Sequence, residues 1–304
     1  MSTALPPVLS HPPVTLVTAL HPAEPSRPQD KGHYPAGMAA RGATPAPPSI
    51  DLDRIFEQIR QWQHMVESPA PGFEPGSALA TDSAKSAMYD VGHAAWSGIA
   101  IAIDHLHALR SLIVDARLVH SHAPFSLIRG AIDNAAVSVW LLTPTDQDER
   151  LFRRLHLAYE DVRQGAEAGA LLGPRAPQPP RSAKVRLREI TDLAKALGVN
   201  PDGAVGARWA GYESIVQLAA AEVEHLDAGT AAFVWRACSA FGHGRQWAAL
   251  SLLHRESQPR SEGIVDMRLT SSVEQVATLA GTAVMLNLRA VQLYNERRTA
   301  AGTA

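Results

Sequence analysis

Between Val234 and Leu250 the chain reads VWRACSAFGHGRQWAAL, and this stretch holds the residues best suited to chemistry. Arg236 and His243 stand seven positions apart, with Ser239 between them. A guanidinium grips anions through a planar fork, and an imidazole exchanges protons near neutral pH. On a continuous helix, seven steps of about 100° return to within about 20° of the start, two turns further along. Arg236, Ser239 and His243 then share one face. Val234, Ala237, Phe241, Ala248 and Leu252 mark the opposite, apolar face. The solvent side of an ordinary amphipathic helix gives the same pattern, so spacing alone does not separate a catalytic pair from a wet face. Gly242 and Gly244 flank the histidine, and each costs a helix interior roughly 1 kcal/mol relative to alanine. Their presence suggests close backbone approach by a partner chain or a ligand. Trp235 and Trp247 bracket the stretch, as large aromatics do beside bases or at interfaces, and Arg245 adds a second cation.

A second group lies in LIRGAIDNAAVSVWLL, residues 127–142, where Arg129 and Asp133 stand four apart and Asn134 follows. A buried charge is costly unless paired, so the expectation is an ion pair within the helix or to a neighbouring one. The functional alternative puts Arg129 at the mouth of a pocket beside the Arg236–His243 face. His156 and Glu160 share the (i, i+4) spacing, which a solvated helix face explains. The histidines at 93, 105, 107, 120 and 122 raise the question of a metal, but bundle metal sites need Glu-x-x-His sets from several helices. That spacing occurs once, at Glu222–His225, so no metal ligands and no cofactor are expected. There is no Walker loop, no GxGxxG and no GxSxG elbow.

The elements that must carry these residues are helices. Residues 1–49 hold half of the chain's 22 prolines and show no helical or strand period. Proline removes backbone donors and fixes φ, so this arm is expected to be disordered and without ladders. Residues 50–299 are read as one all-α domain, an up-and-down bundle of about seven or eight helices. Apolar spacing places them at about 50–66, 82–120, 125–142, 146–172, 181–197, 208–226, 230–254 and 272–298. Loops fall at SPAPGFEPG, GPRAPQPP, GVNPDG and SQPRSEG, and Ile264–Thr270 alternates weakly, as one short strand would. The helix at 125–142 is apolar nearly all round, which marks it as the central buried one. No apolar run reaches a membrane span's length on this reading, and the single Cys238 excludes an internal disulfide. A cytoplasmic chain with no membrane contact is therefore expected. A net charge of −2 argues against a generally basic nucleic-acid binder.

Arg-x6-His, here Arg236 and His243, resembles the signature of the HEPN superfamily of small helical proteins from toxin and abortive-infection systems. The 127–142 helix is similar to the buried helix of bacterial HEPN-like families, in which an Arg is followed four residues later by an acid. The likeness spans about residues 85–255. It implies a metal-independent endoribonuclease in a defence or stress system, acting on RNA across a homodimer. His243 would then be the general acid or base at the ribose 2′-hydroxyl, and Arg236 would hold the phosphate. Ser239, Arg129, Asp133, Asn134, Arg245 and Trp247 would line the binding face. The spacer ACSAFG is more apolar than in active members. Many relatives have lost catalysis, so a non-catalytic binding protein on the same scaffold is the alternative. A small-molecule or metal-binding bundle is a third.

Overall fold

The computed structural model describes residues 9–10, 14–19 and 52–300, apart from 87, 176, 178–179, 201–202, 208–210 and 262–263. The expected disorder of the remaining arm residues lies outside the described part. The fold is mostly helical. In chain order the helices are α1 (Leu52–Glu67), α2 (Ala78–Ser86), α3 (Val91–Arg110), α4 (Ala123–Leu142), α5 (Gln147–Leu172), α6 (Ala183–Ala196), α7 (Tyr212–Ala220), α8 (Ala228–Gly242), α9 (Gln246–Leu252) and α10 (Val273–Arg298).

Most of these helices begin at side chains that satisfy their free N–H groups. Asp90, Asp146, Ser182 and Asp227 cap α3, α5, α6 and α8. Ser272 and Gln275 form a reciprocal capping box at α10. The cap at Asp90 corrects the single helix expected over 82–120. Asp90 accepts from the N–H of His93 at 2.7 Å, starting α3 afresh after α2. One π-helical turn, Ser111–Asp115, then ends α3. A second break, between α8 and α9, raises the expected eight helices to ten among the described residues.

The centre is α4, of which only Ala123 and Ser126 are exposed. It packs against α3, α10, α7, α8 and α5. Its C-terminal carbonyls lack partners within the helix, and arginines from neighbouring helices take that role. Arg153 Nη1 donates to the Trp140 carbonyl at 2.6 Å, and Arg297 Nε and Nη2 to those of Leu142 and Thr143, each at 3.1 Å. Arg150 Nη1 reaches the next two, of Pro144 at 2.9 Å and Thr145 at 2.8 Å. The rest of the Arg150 fork grips Asp82 of α2, with Nε–Oδ2 2.7 Å and Nη2–Oδ1 2.8 Å. Both side chains of this pair are almost wholly buried, at 2 % and 0 % exposed. Spacing gave no hint of it.

Three helical stretches, Val91–Asp115, Ala123–Leu142 and Val273–Arg298, are long and apolar enough to cross a membrane, each with a window of mean hydropathy 1.3. This corrects the expectation that no stretch comes near that length. Uninterrupted apolar runs are short here, but alanine, glycine and leucine raise the average across scattered polar residues. In the fold, α10 packs on both α3 and α4.

Among the described residues five short strands accompany the helices: β1 (Leu9–Ser10), β2 (Val14–Ala19), β3 (Leu118–Val119), β4 (His254–Ser261) and β5 (Ile264–Thr270). The expected strand at 264–270 is present. SQPRSEG is not all loop, because Ser257–Ser261 lie in β4, antiparallel to β5. The arm is also corrected at two places. Leu9–Ser10 pair in parallel with β3, and Val14–Ala19 run antiparallel along β5 from Leu269 to Ile264. VTLVTA carries no proline, so every N–H in it is available to a ladder.

Candidate functional site

The end of α8 decides how Arg236 and His243 are presented. The helix does not run on to 254; it stops at Gly242, with His243 as its last cap residue. Gly244 takes the left-handed backbone, φ +62°, that only glycine adopts without strain. Its N–H bonds to the Phe241 carbonyl at 3.1 Å, and that of Arg245 to the Ala240 carbonyl at 2.8 Å. This pair of bonds is the Schellman stop. Gly244 is therefore required by the helix stop, and no other part of this chain presses on either glycine. A side chain at Gly242 would meet only Ser126 Oγ, at an ordinary 3.7 Å, and nothing stands within 4 Å of one at Gly244.

The shared face survives this correction. The His243 N–H still donates to the Ser239 carbonyl at 3.1 Å, a bond of helical type, so the chain holds its helical path that far. Arg236 and His243 sit on one side of α8, about 10 Å apart along the axis. Ser239 is half-buried between them, and the opposite stripe of Val234, Ala237, Phe241 and Ala248 is buried as expected. Arg245 and Trp247 do not continue this face. Arg245 precedes the first turn of α9, and Trp247 lies exposed on that separate helix.

Arg236 is engaged. Its Nε donates to Glu213 Oε1 and its Nη2 to Oε2, both at 2.7 Å. Glu213 stands in the first turn of α7, where a carboxylate suits the positive end of the helix. Arg236 remains 63 % exposed, so the pair lies at the surface. His243 is exposed, and its ring has no hydrogen-bond partner among the described residues.

Arg129 and Asp133 make their expected pair, Nε–Oδ2 2.9 Å, a close ion contact rather than an aligned hydrogen bond. They meet Trp235, whose indole N–H donates to Asp133 Oδ1 at 2.7 Å and whose ring lies 3.9 Å under the Arg129 guanidinium. Trp235 thus turns inward and does not bracket the surface stretch. Burial holds the Asp133 carboxyl above the usual carboxylate range, against the lowering pull of the Trp235 N–H and Arg129. His105 of α3 also acts on Asp133 and lies against Gly130, where a side chain would collide with its ring. Partial burial, with Asp133 nearby, raises the Tyr212 phenol. Burial pushes the Cys238 thiol up to about 12, an unreactive state. Asn134 stays apart, donating to the Gly130 carbonyl of its own helix at 2.8 Å.

Two clusters therefore flank α8. Trp235 ties it to α4 through Asp133, and Arg236 ties it to α7 through Glu213. Sequence reasoning found Arg129, Asp133, Arg236 and His243 but missed Glu213, His105, Tyr212 and the inward role of Trp235. His156 Nδ1 lies 3.2 Å from the Ala204 carbonyl, and Glu160 pairs with Arg163. Glu222 and His225 fall in the connection after α7, not on a helix. Among the described residues no three His, Cys, Asp or Glu side chains converge as metal ligands would. A cleft of about 320 Å³ opens between α4, α9 and α10, lined by Phe125, Ser251, Leu252, Gln275, Thr278 and Leu279, none of them an expected site residue.

Fold and site together define a mostly helical protein with an exposed Arg–His face beside a partly buried Arg–Asp–Trp cluster. Comparison with family models, curated proteins and solved structures finds no match, so the HEPN likeness rests on the residues quoted above.

Proposed function

We propose that this chain is a non-catalytic interaction protein on a HEPN-like, up-and-down helical scaffold, cytoplasmic and homodimeric, with the α8 face meeting a second copy. The observation that carries this reading is the Arg236–Glu213 pair. The guanidinium fork that a phosphate would need is already closed by a carboxylate, so the face is nearly neutral where RNA would require positive charge. Phe233, one turn before Arg236, is 49 % exposed and gives the same side an apolar anchor. The expected result is a dimer by sedimentation that Phe233→Asp converts to monomer, with no RNA cleavage in EDTA.

The second reading, a metal-independent endoribonuclease, is favoured by His243, whose exposed and unpartnered ring is free to exchange protons with a substrate. It expects cleavage of RNA in EDTA, lost in His243→Ala and raised in Glu213→Gln, which opens the Arg236 fork. Cleavage with those two responses overturns the first reading.

A further inference from the structure

The sheet runs in the order β2–β5–β4, and its two outer strands are held very differently. β4 follows β5's edge from the neighbouring sequence, as half of one hairpin. β2 comes from the far end of the chain, and roughly thirty residues separate Ala19 from the start of α1. The β2 ladder is short, six residues from Val14↔Leu269 to Ala19↔Ile264, and among the described residues β2 has no strand on its other side. The neighbouring clip, β1 on β3, is two residues long. β5 without β2 presents a row of free backbone donors and acceptors, the template on which an extended peptide adds as a further strand.

We infer that the outer edge of β5 is a peptide-docking edge, held closed by the chain's own residues 14–19 acting as a displaceable strap. The occupant it accepts is an extended segment rich in β-branched residues, running antiparallel to β5, as VTLVTA does. This inference is independent of the α8 face and of whether that face is catalytic.

The probe is a labelled peptide of residues 9–20, LSHPPVTLVTAL, titrated into the full chain by fluorescence anisotropy. The full-length Leu16→Pro variant fixes φ near about −65° in the middle of the strap, away from the extended backbone its ladder with β5 requires, and frees the edge. It binds the peptide at least about tenfold more tightly than the parent chain, because the tethered competitor is gone. A peptide carrying the same proline does not bind. The second arm is a lock: Thr15→Cys with Arg268→Cys joins direct partners across the ladder. The native Cys238 is buried and stays out of the exchange. Oxidised, the locked chain gives no binding; reduced, it returns to the parent value. Equal binding by parent and Leu16→Pro chains, binding to neither, or binding to the oxidised lock overturns the inference.

Discussion

Replacing Asp82 by Asn tests how much of this fold hangs on one pair of charges. Asp82 and Arg150 are at most 2 % exposed, so neither can turn to water when the other is neutralised. Arg150 makes four bonds, two to the carboxylate and two to the Pro144 and Thr145 carbonyls. Asp82→Asn leaves its guanidinium charge buried with only neutral acceptors, a loss of about 3–5 kcal/mol. Arg150→Met is the worse change. It strands a carboxylate whose one other partner is the Gln147 amide at 3.1 Å, and it orphans two carbonyls at about 1–3 kcal/mol each. At about 2–4 °C per kcal/mol for a domain of this size, Asp82→Asn lowers Tm by about 6–20 °C. The assay is thermal and urea unfolding followed by circular dichroism, for both single variants and for Asp82→Leu with Arg150→Met. The double variant buries no charge and should lie closer to the parent than Arg150→Met does. An Asp82→Asn loss under about 1 kcal/mol, or a double variant as unstable as the sum of the singles, refutes the argument.

Three further outcomes follow from the geometry. Asp133 has a folded pKa above its unfolded one, so its ionisation costs stability in full above the folded value, and the cost is relieved as pH falls. The parent chain should therefore gain on Asp133→Asn as pH drops from about 7 to about 4, in denaturation at stepped pH; a constant or shrinking difference contradicts this. Asn287 is wholly buried on α10 with neither amide atom bonded, so Asn287→Leu should raise stability by about 1–3 kcal/mol, and a lower Tm counts against it. Gly244→Ala forces a side chain into left-handed backbone and should cost about 1 kcal/mol in the same unfolding assay, whereas Gly242→Ala should cost none.

The helical class and the central place of α4 were legible in the sequence, because apolar period and all-round hydrophobicity act within a few residues of themselves. Within the 82–120 and 230–254 stretches the same period hid two breaks. Asp90 and Gly244 announce them only through cap chemistry, which the continuing apolar pattern outweighed. The arm's strand was missed for a related reason: six proline-free residues sat inside a segment judged by its average.

Of the candidate site, the sequence by itself settled that one helix carries Arg129, Asp133 and Asn134 and another Arg236 and Ser239, and that Arg129 and Asp133 could meet, since their spacing is about one helical turn. Only the tertiary structure decided that Trp235 faces Asp133, 102 residues away, that Arg236 is held by Glu213, 23 away, and that Arg150 grips Asp82, 68 away. Local signals fix caps and faces because their partners lie within a turn. Which charges meet depends on how the faces of different helices are turned toward one another, and no spacing along the chain encodes that.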